Sequence, residues 1–208
     1  MNRLLKENGR VLAFGAHPDD IEVGAGGLLA RLAEEGHDVT MAVVSVPSNA
    51  TVRKAEAQAG ADVIGADLFI LYEEKPCRVE DIAMHELVRR FDNIIGDVRP
   101  DLVITHSAND LHWDHGLVNR ATVSALRRTP CDLLAFLSSP EMNAQARAIG
   151  QCFADISTSM ERKLAAISAH ESQASKLGLE SSRDLARAMG RISGYEYAEA
   201  YEVLRVRI

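Results

Sequence analysis

Apolar residues along the chain fall into short continuous runs that alternate with stretches of helical spacing. Val11-Leu12-Ala13-Phe14-Gly15-Ala16 reads as a strand buried on both faces, and residues 39–45, 68–72, 101–105 and 133–137 read the same way. Between them, a helix is predicted over residues 25–35, closed by Gly36, and another over 51–64 with Gly65 behind it. After Pro76, Ile82, Leu87, Phe91, Ile94, Ile95 and Val98 form one apolar stripe, ended by Pro100. A further helix follows Gly116 as far as Arg128.

The later chain is predicted to add an edge strand over 152–156 and a helix from a capping box at Thr158-Ser159-Met160-Glu161 to about His170. A loop over 173–179, a short helix over 182–192 and a last strand over 200–206 complete the reading. Strands separated by crossover helices imply an α/β fold with a doubly wound, mostly parallel sheet. No repeat or linker interrupts the 208 residues, so a single domain is expected.

Charge and composition narrow the classes. A net charge of −7 with no basic stripe argues against a nucleic-acid partner. Cys77, Cys131 and Cys152 are odd in number and widely spaced, which excludes a disulfide framework and a thiolate zinc knuckle. They read as buried small hydrophobes in a reducing, cytoplasmic setting. No stretch approaches the about 20 apolar residues of a membrane span, and the first eight residues do not form a signal peptide.

Chemistry concentrates at two strand ends. The first strand delivers His17-Pro18-Asp19-Asp20, where Pro18 bars continuation of the strand. The fourth is followed by Asp110-Leu111-His112-Trp113-Asp114-His115. In an open α/β sheet ligands bind beyond such ends. Singly, each cluster also fits a turn, a helix N-cap or a solvated loop; jointly they point to a metal. A catalytic zinc site takes three nitrogen or oxygen ligands, which His17, Asp20 and His115 can supply. Asp19 is then placed to take a proton from metal-bound water, and His112 to donate one or to stabilise an oxyanion.

Ala16-His17-Pro18-Asp19-Asp20, followed by Glu22 and Gly24-Ala25-Gly26-Gly27, resembles the signature of the LmbE-like (PIG-L) zinc-dependent N-deacetylases. The string from Asp110 to His115 is similar to that family's second motif. Arg53-x-x-Glu56, Lys163-Leu164-Ala165-Ala166, His170-Glu171-Ser172-Gln173 and Tyr197-Ala198-Glu199-Ala200-Tyr201 resemble its later ones. The resemblance implies a Rossmann-like fold without a nucleotide-phosphate role, and one Zn²⁺ per chain on His17, Asp20 and His115. It implies Asp19 as general base, His112 as acid or oxyanion stabiliser, and Asp114 holding the His112 imidazole. The implied substrate is a small N-acetylated amino sugar or its conjugate; a homo-oligomer is compatible with the resemblance. A metal-dependent lyase hydrating a small unsaturated dicarboxylate is the alternative.

Trp113, where the family often has a smaller residue, either stacks on a sugar face or plugs the loop from beneath. Arg53 either contacts substrate or pairs with Glu56, a contact worth about 0.2–0.5 kcal/mol. His170 either approaches the pocket or caps its helix end. His37, His85 and His106 are given structural or solvent roles.

Overall fold

A computed structural model describes residues 5–74, 77–136, 150–175 and 177–207. The first half builds β1 (Arg10–Gly15), α1 (Asp20–Glu34), β2 (Asp38–Val43), α2 (Ala50–Ile64), β3 (Asp67–Ile70), α3 (Met84–Val98) and β4 (Leu102–His106). The second builds α4 (Trp113–Ala125), β5 (Asp132–Phe136), β6 (Cys152–Asp155), α5 (Met160–Ser168), α6 (Leu179–Ser193) and β7 (Ala198–Arg205). Pro76, Leu137 and Lys176, which the sequence pattern used at element boundaries, lie outside the described residues.

The seven strands form one sheet in the order β3-β2-β1-β4-β5-β7-β6. The first five are parallel, and β7 runs antiparallel between β5 and β6. The mostly parallel α/β fold is as expected, with one reversed strand. Alternate residues of the central strands face two cores. Val11, Ala13, Met41 and Ile104 meet α1, α2 and α5 on one side. Leu12, Phe14, Ala42 and Val103 meet α3 and α4 on the other. Burial on both faces is why these strands are continuous apolar runs rather than alternating ones. The chain winds outward in both directions from β1 and β4, so the crevice at a topological switch point opens beyond their carboxyl ends.

Three helices begin at least three residues earlier than predicted, α6 among them at Leu179 rather than 182. α1 starts at Asp20 and takes in Gly24, Gly26 and Gly27, which the pattern placed in a flexible run. Glycine is costly inside a helix, and here contact with the sheet demands it. A Cβ on Gly24 would lie 2.1 Å from the Phe136 ring, and one on Gly27 would lie 2.8 Å from Ile156. α4 starts at Trp113, which puts His115 in its first turn. The capping box does not form: Ser159, the N-cap of α5, turns its hydroxyl to the Gly27 carbonyl at 2.7 Å.

A buried ion pair fastens the same stretch of α1 to the end of the chain. Glu199 accepts the Gly27 and Leu28 amides at 2.9 and 2.8 Å and the Tyr201 hydroxyl at 2.7 Å. It also accepts from Lys163, which in turn donates to the Val23 carbonyl at 2.6 Å. Such a pair is costly to break singly, by about 3–5 kcal/mol. All three cysteines are free; Cys131 is buried as expected, but Cys77 and Cys152 are only half-buried. Among the described residues, no helix is long and apolar enough to cross a membrane.

Replacing Gly24 by Ala should force the Phe136 ring from its place and destabilise the protein by about 1–3 kcal/mol. Urea unfolding measures this, and Phe136→Leu in the same chain should recover part of the loss.

Candidate metal centre

The β1 strand ends at Gly15, and residues 16–19 turn the chain into α1. Asp20 fixes this turn by accepting the His17 amide on Oδ2 at 2.7 Å. Asp19 sits at φ 94°, ψ −29°, a left-handed conformation that a side-chain-bearing residue adopts at a cost. Opposite it, β4 ends at His106, and Asp110 shapes the following loop. Its Oδ1 accepts the His112 amide and its Oδ2 pairs with His115 Nδ1, each at 2.9 Å. Glu202 on β7 anchors the same loop, accepting from Ser107 and Asn109 at 2.9 and 3.0 Å.

The two turns meet at Asp20. Its Oδ1 lies 3.3 Å from His115 Nε2, and its Oδ2 lies 3.2 Å from His106 Nε2 and 3.7 Å from His17 Nδ1. His115 stacks on His106 with ring centroids 3.9 Å apart and on His112 at 4.4 Å. Among the described residues, two sets bring donor atoms within 4.8 Å of one another: His17, His112 and His115, and Asp20, His106 and His115. Imidazole nitrogens with one carboxylate are a donor set suited to a divalent transition ion such as zinc. Neither set is the expected trio itself: His17 and His115 share the first, Asp20 and His115 the second, and Asp20 lies 3.7 Å from His17 Nδ1 and 3.3 Å from His115 Nε2.

His106 did not stand out in the sequence as a site residue. It is fully buried, and its Nε2 also faces the Ala16 amide at 3.1 Å. The signal was its position at the end of the fourth apolar run, as His17 follows the end of the first. Asp110 was visible in the second cluster but had no role there; a carboxylate on the far nitrogen of a ligating imidazole fixes its tautomer and orientation. Asp114 differs from the expectation. Its carboxylate accepts from or pairs with His17 Nε2 at 2.9 Å, and only its backbone amide holds His112, donating to Nδ1 at 3.2 Å. Because α4 starts at Trp113, that amide lies in the first turn, where it has no helical partner and caps on His112. Arg53 pairs with neither substrate-facing space nor Glu56. It is buried and donates to the Pro18 carbonyl at 2.9 Å and Asp19 Oδ2 at 3.2 Å. Trp113 is 62% exposed, so it is not a plug. His37 is structural, accepting the Gly9 amide.

Charge is unevenly distributed over the cluster. Burial would raise the Asp20 carboxyl, but His115 and His106 hold it well below the usual range. Burial would lower His115, yet Asp20 and Asp110 outweigh it and push the imidazole up to about 10. Burial lowers His106 and, with the neighbouring His115 and His17, His112. Burial and then Asp20 raise Asp19 to about 7, against the pull of Arg53. The carboxylate not engaged by the histidines is thus the one poised to exchange a proton near neutrality.

A profile of the GlcNAc-PI de-N-acetylase (PIG-L) family matches residues 12–126, which include both clusters. The chain is 31% identical over 129 residues to the uncharacterized deacetylase YaiS of Escherichia coli, covering 58% of this chain and 69% of that one. It is 27% identical over 184 residues to the probable N-acetyl-α-D-glucosaminyl L-malate deacetylase 2 of Bacillus cereus, covering 78% and 83%. In structure it is similar to 4-carboxy-2-hydroxymuconate hydratase of Pseudomonas putida. The TM-score is 0.79 at 23% identity, over 96% of this chain and 98% of that one.

Ligation needs a neutral His115. Because its folded value of about 10 stands above the ordinary 6.5, the stabilisation from its charged pairing is complete below pH 6.5 and is lost as pH rises toward 10. Binding of a divalent ion through His115 should therefore release close to one proton, and affinity should rise roughly tenfold per pH unit across that window. Calorimetric titration in two buffers of different ionisation enthalpy measures both. Asp110→Asn should weaken the ion's affinity by about 10–100-fold while the fold persists, checked by competition with a chromogenic chelator.

Proposed function

This chain belongs to the PIG-L family, and from that premise we propose that it is a zinc-dependent deacetylase that removes the acetyl group from an N-acetylated amino sugar or its conjugate. The observation that carries the reading is Asp19. It stands next to the ligand-forming Asp20 but is braced by Arg53, held in a strained backbone and left with a carboxyl near 7. A group maintained this way has the properties of a general base.

The residues divide the work as follows. His17, Asp20 and His115 would hold one zinc ion per chain, with Asp110 orienting His115. When bound, the ion supplies Lewis acidity toward a carbonyl and acidifies water. Asp19 takes the proton of the water that attacks the acetamide carbon. His112 accepts the Asp114 amide on Nδ1, so the neutral ring carries its proton on Nε2. It is thereby a donor for the developing oxyanion, and the proton taken up by Asp19 passes to the leaving nitrogen as the C–N bond breaks to give acetate and the free amine. Trp113, exposed beside His112, offers a ring face for a sugar. Three free thiols suit a cytoplasmic setting.

Hydration of a small unsaturated dicarboxylate fits less well, although the similar Pseudomonas putida protein is a 4-carboxy-2-hydroxymuconate hydratase. A diacid needs cationic anchors, and Arg53 already serves Asp19 and the Pro18 carbonyl.

In the zinc-loaded enzyme, Asp19→Asn should lower kcat for acetate release by about 10²–10⁴-fold. Its metal content, measured by mass spectrometry, should equal that of the wild type. Absence of acetate from every N-acetylglucosamine conjugate and nucleotide-linked amino sugar tested with the wild type would sink the proposal.

A further inference from the structure

Apart from the Arg53–Asp19 contact, the Arg53-x-x-Glu56 and His170-x-Ser172 motifs take no part in holding the ion or in the chemistry above, yet Arg53, Glu56 and His170 are buried together behind Asp19, with Ser172 exposed at their edge. Arg53, Glu56 and Gly60 lie at i, i+3 and i+7 on one face of α2. His170 is fully buried just beyond the end of α5, and its ring caps neither α5 nor the short turn of helix at Glu171–Gln173 that follows. Its Nε2 meets Glu22 Oε1 at 3.0 Å, and Glu22 is only 1% exposed. The pair fits there because α2 presents Gly60: a Cβ at that position would lie 2.5 Å from Glu22 Oε1 and 3.2 Å from His170 Nε2. Two residues on, Ser172 donates its amide and its hydroxyl to the two oxygens of Glu56, at 2.7 and 2.6 Å.

We propose that the 170–172 turn is a positioning element for Asp19. His170 and Ser172 engage Glu22 and Glu56, the two buried carboxylates that would otherwise compete for Arg53, so that Arg53 stays on Asp19 and the Pro18 carbonyl. Three observations converge on this. Glu56 and Arg53 share one helix face three residues apart, the spacing at which such side chains meet; in the fold Glu56 is committed to Ser172 and Arg53 to Asp19. Glu22 lies one turn along α1 from Asp19, and the fields of both Glu22 and His170 reach the Asp19 carboxyl. Packing alone does not account for the arrangement. Glu22 Oε2, His170 Nδ1 and Arg53 Nε are buried with no hydrogen-bond partner in the structure, and a part-satisfied polar network is less stable than an apolar filling.

The proposal rests on the reading of Asp19 as the base. His170→Phe frees Glu22, and kcat should fall by about 10–100-fold, the size of effect that ångström-scale misplacement of a reacting group produces. KM and zinc content should stay at wild-type values. Glu22→Gln added to that variant removes the competitor and should restore most of the rate. Ser172→Ala with and without Glu56→Gln repeats the logic at the other carboxylate, should His170→Phe fail to fold. A merely structural turn predicts a lower Tm, unchanged kcat per folded molecule and no rescue, and either of the last two results overturns the proposal. Crystal structures of the variants give a readout independent of turnover. Arg53 still on Asp19 would overturn the positioning role, whereas a displaced Arg53 in an enzyme whose wild type releases no acetate would leave it standing and remove the deacetylase instead.

Discussion

One carboxylate joins the two halves of the site. Asp20 is nearly buried, and its oxygens face the His17 amide, two imidazole nitrogens from the β4 side and, at longer range, the His17 ring. A carboxylate removed from water is tolerated only when donors or cations surround it, and here the surrounding groups come from two strand ends that adjoin in space but are some ninety residues apart in the chain. The requirement that Asp20 be satisfied thus holds the site together: the turn after β1 and the loop after β4 must close on each other for its burial to be stable. An arriving cation answers the same requirement, because it substitutes one positive neighbour for another.

Much of this was legible in the residues. Parallel strands buried on both faces announce themselves as apolar runs, and two polar clusters at equivalent strand ends are hard to assign to packing. What the sequence hid was hidden for physical reasons. Gly24, Gly26 and Gly27 are read as flexible on local propensity, whereas close contact with Phe136 at Gly24 and with Ile156 at Gly27 leaves no room for a Cβ at those two positions. His106 looked like the first residue of a polar loop because its role depends on β1 and β4 being neighbours, a property of sheet order. Arg53 and His170 were each given two local roles, on a helix surface or in a pocket. Their partners, Asp19 and Glu22, lie 34 and 148 positions away along the chain. Sequence spacing reports what a helix can do for itself, and long-range pairing lies beyond its reach.

The site is accordingly built in depth. Asp110 and Asp114 pair with His115 and His17, and Arg53 holds Asp19; farther out, Glu202 anchors Ser107 and Asn109, and the 170–172 turn engages Glu22 and Glu56. Precision at a reacting centre comes from side chains whose own rotamers are locked by such support.

The clasp of Glu199 and Lys163 on α1 bears on how the chain comes to order. Gly27 and Glu199 are 172 positions apart, and pairings of such separation form slowly because the intervening loop entropy must be spent before they give any return. On a ribosome, the helix that bears Asp20 would wait, its Val23, Gly27 and Leu28 backbone groups still without these side-chain partners, until β7 had been synthesised. Ordering of the turn that follows β1 is in this sense governed by β7.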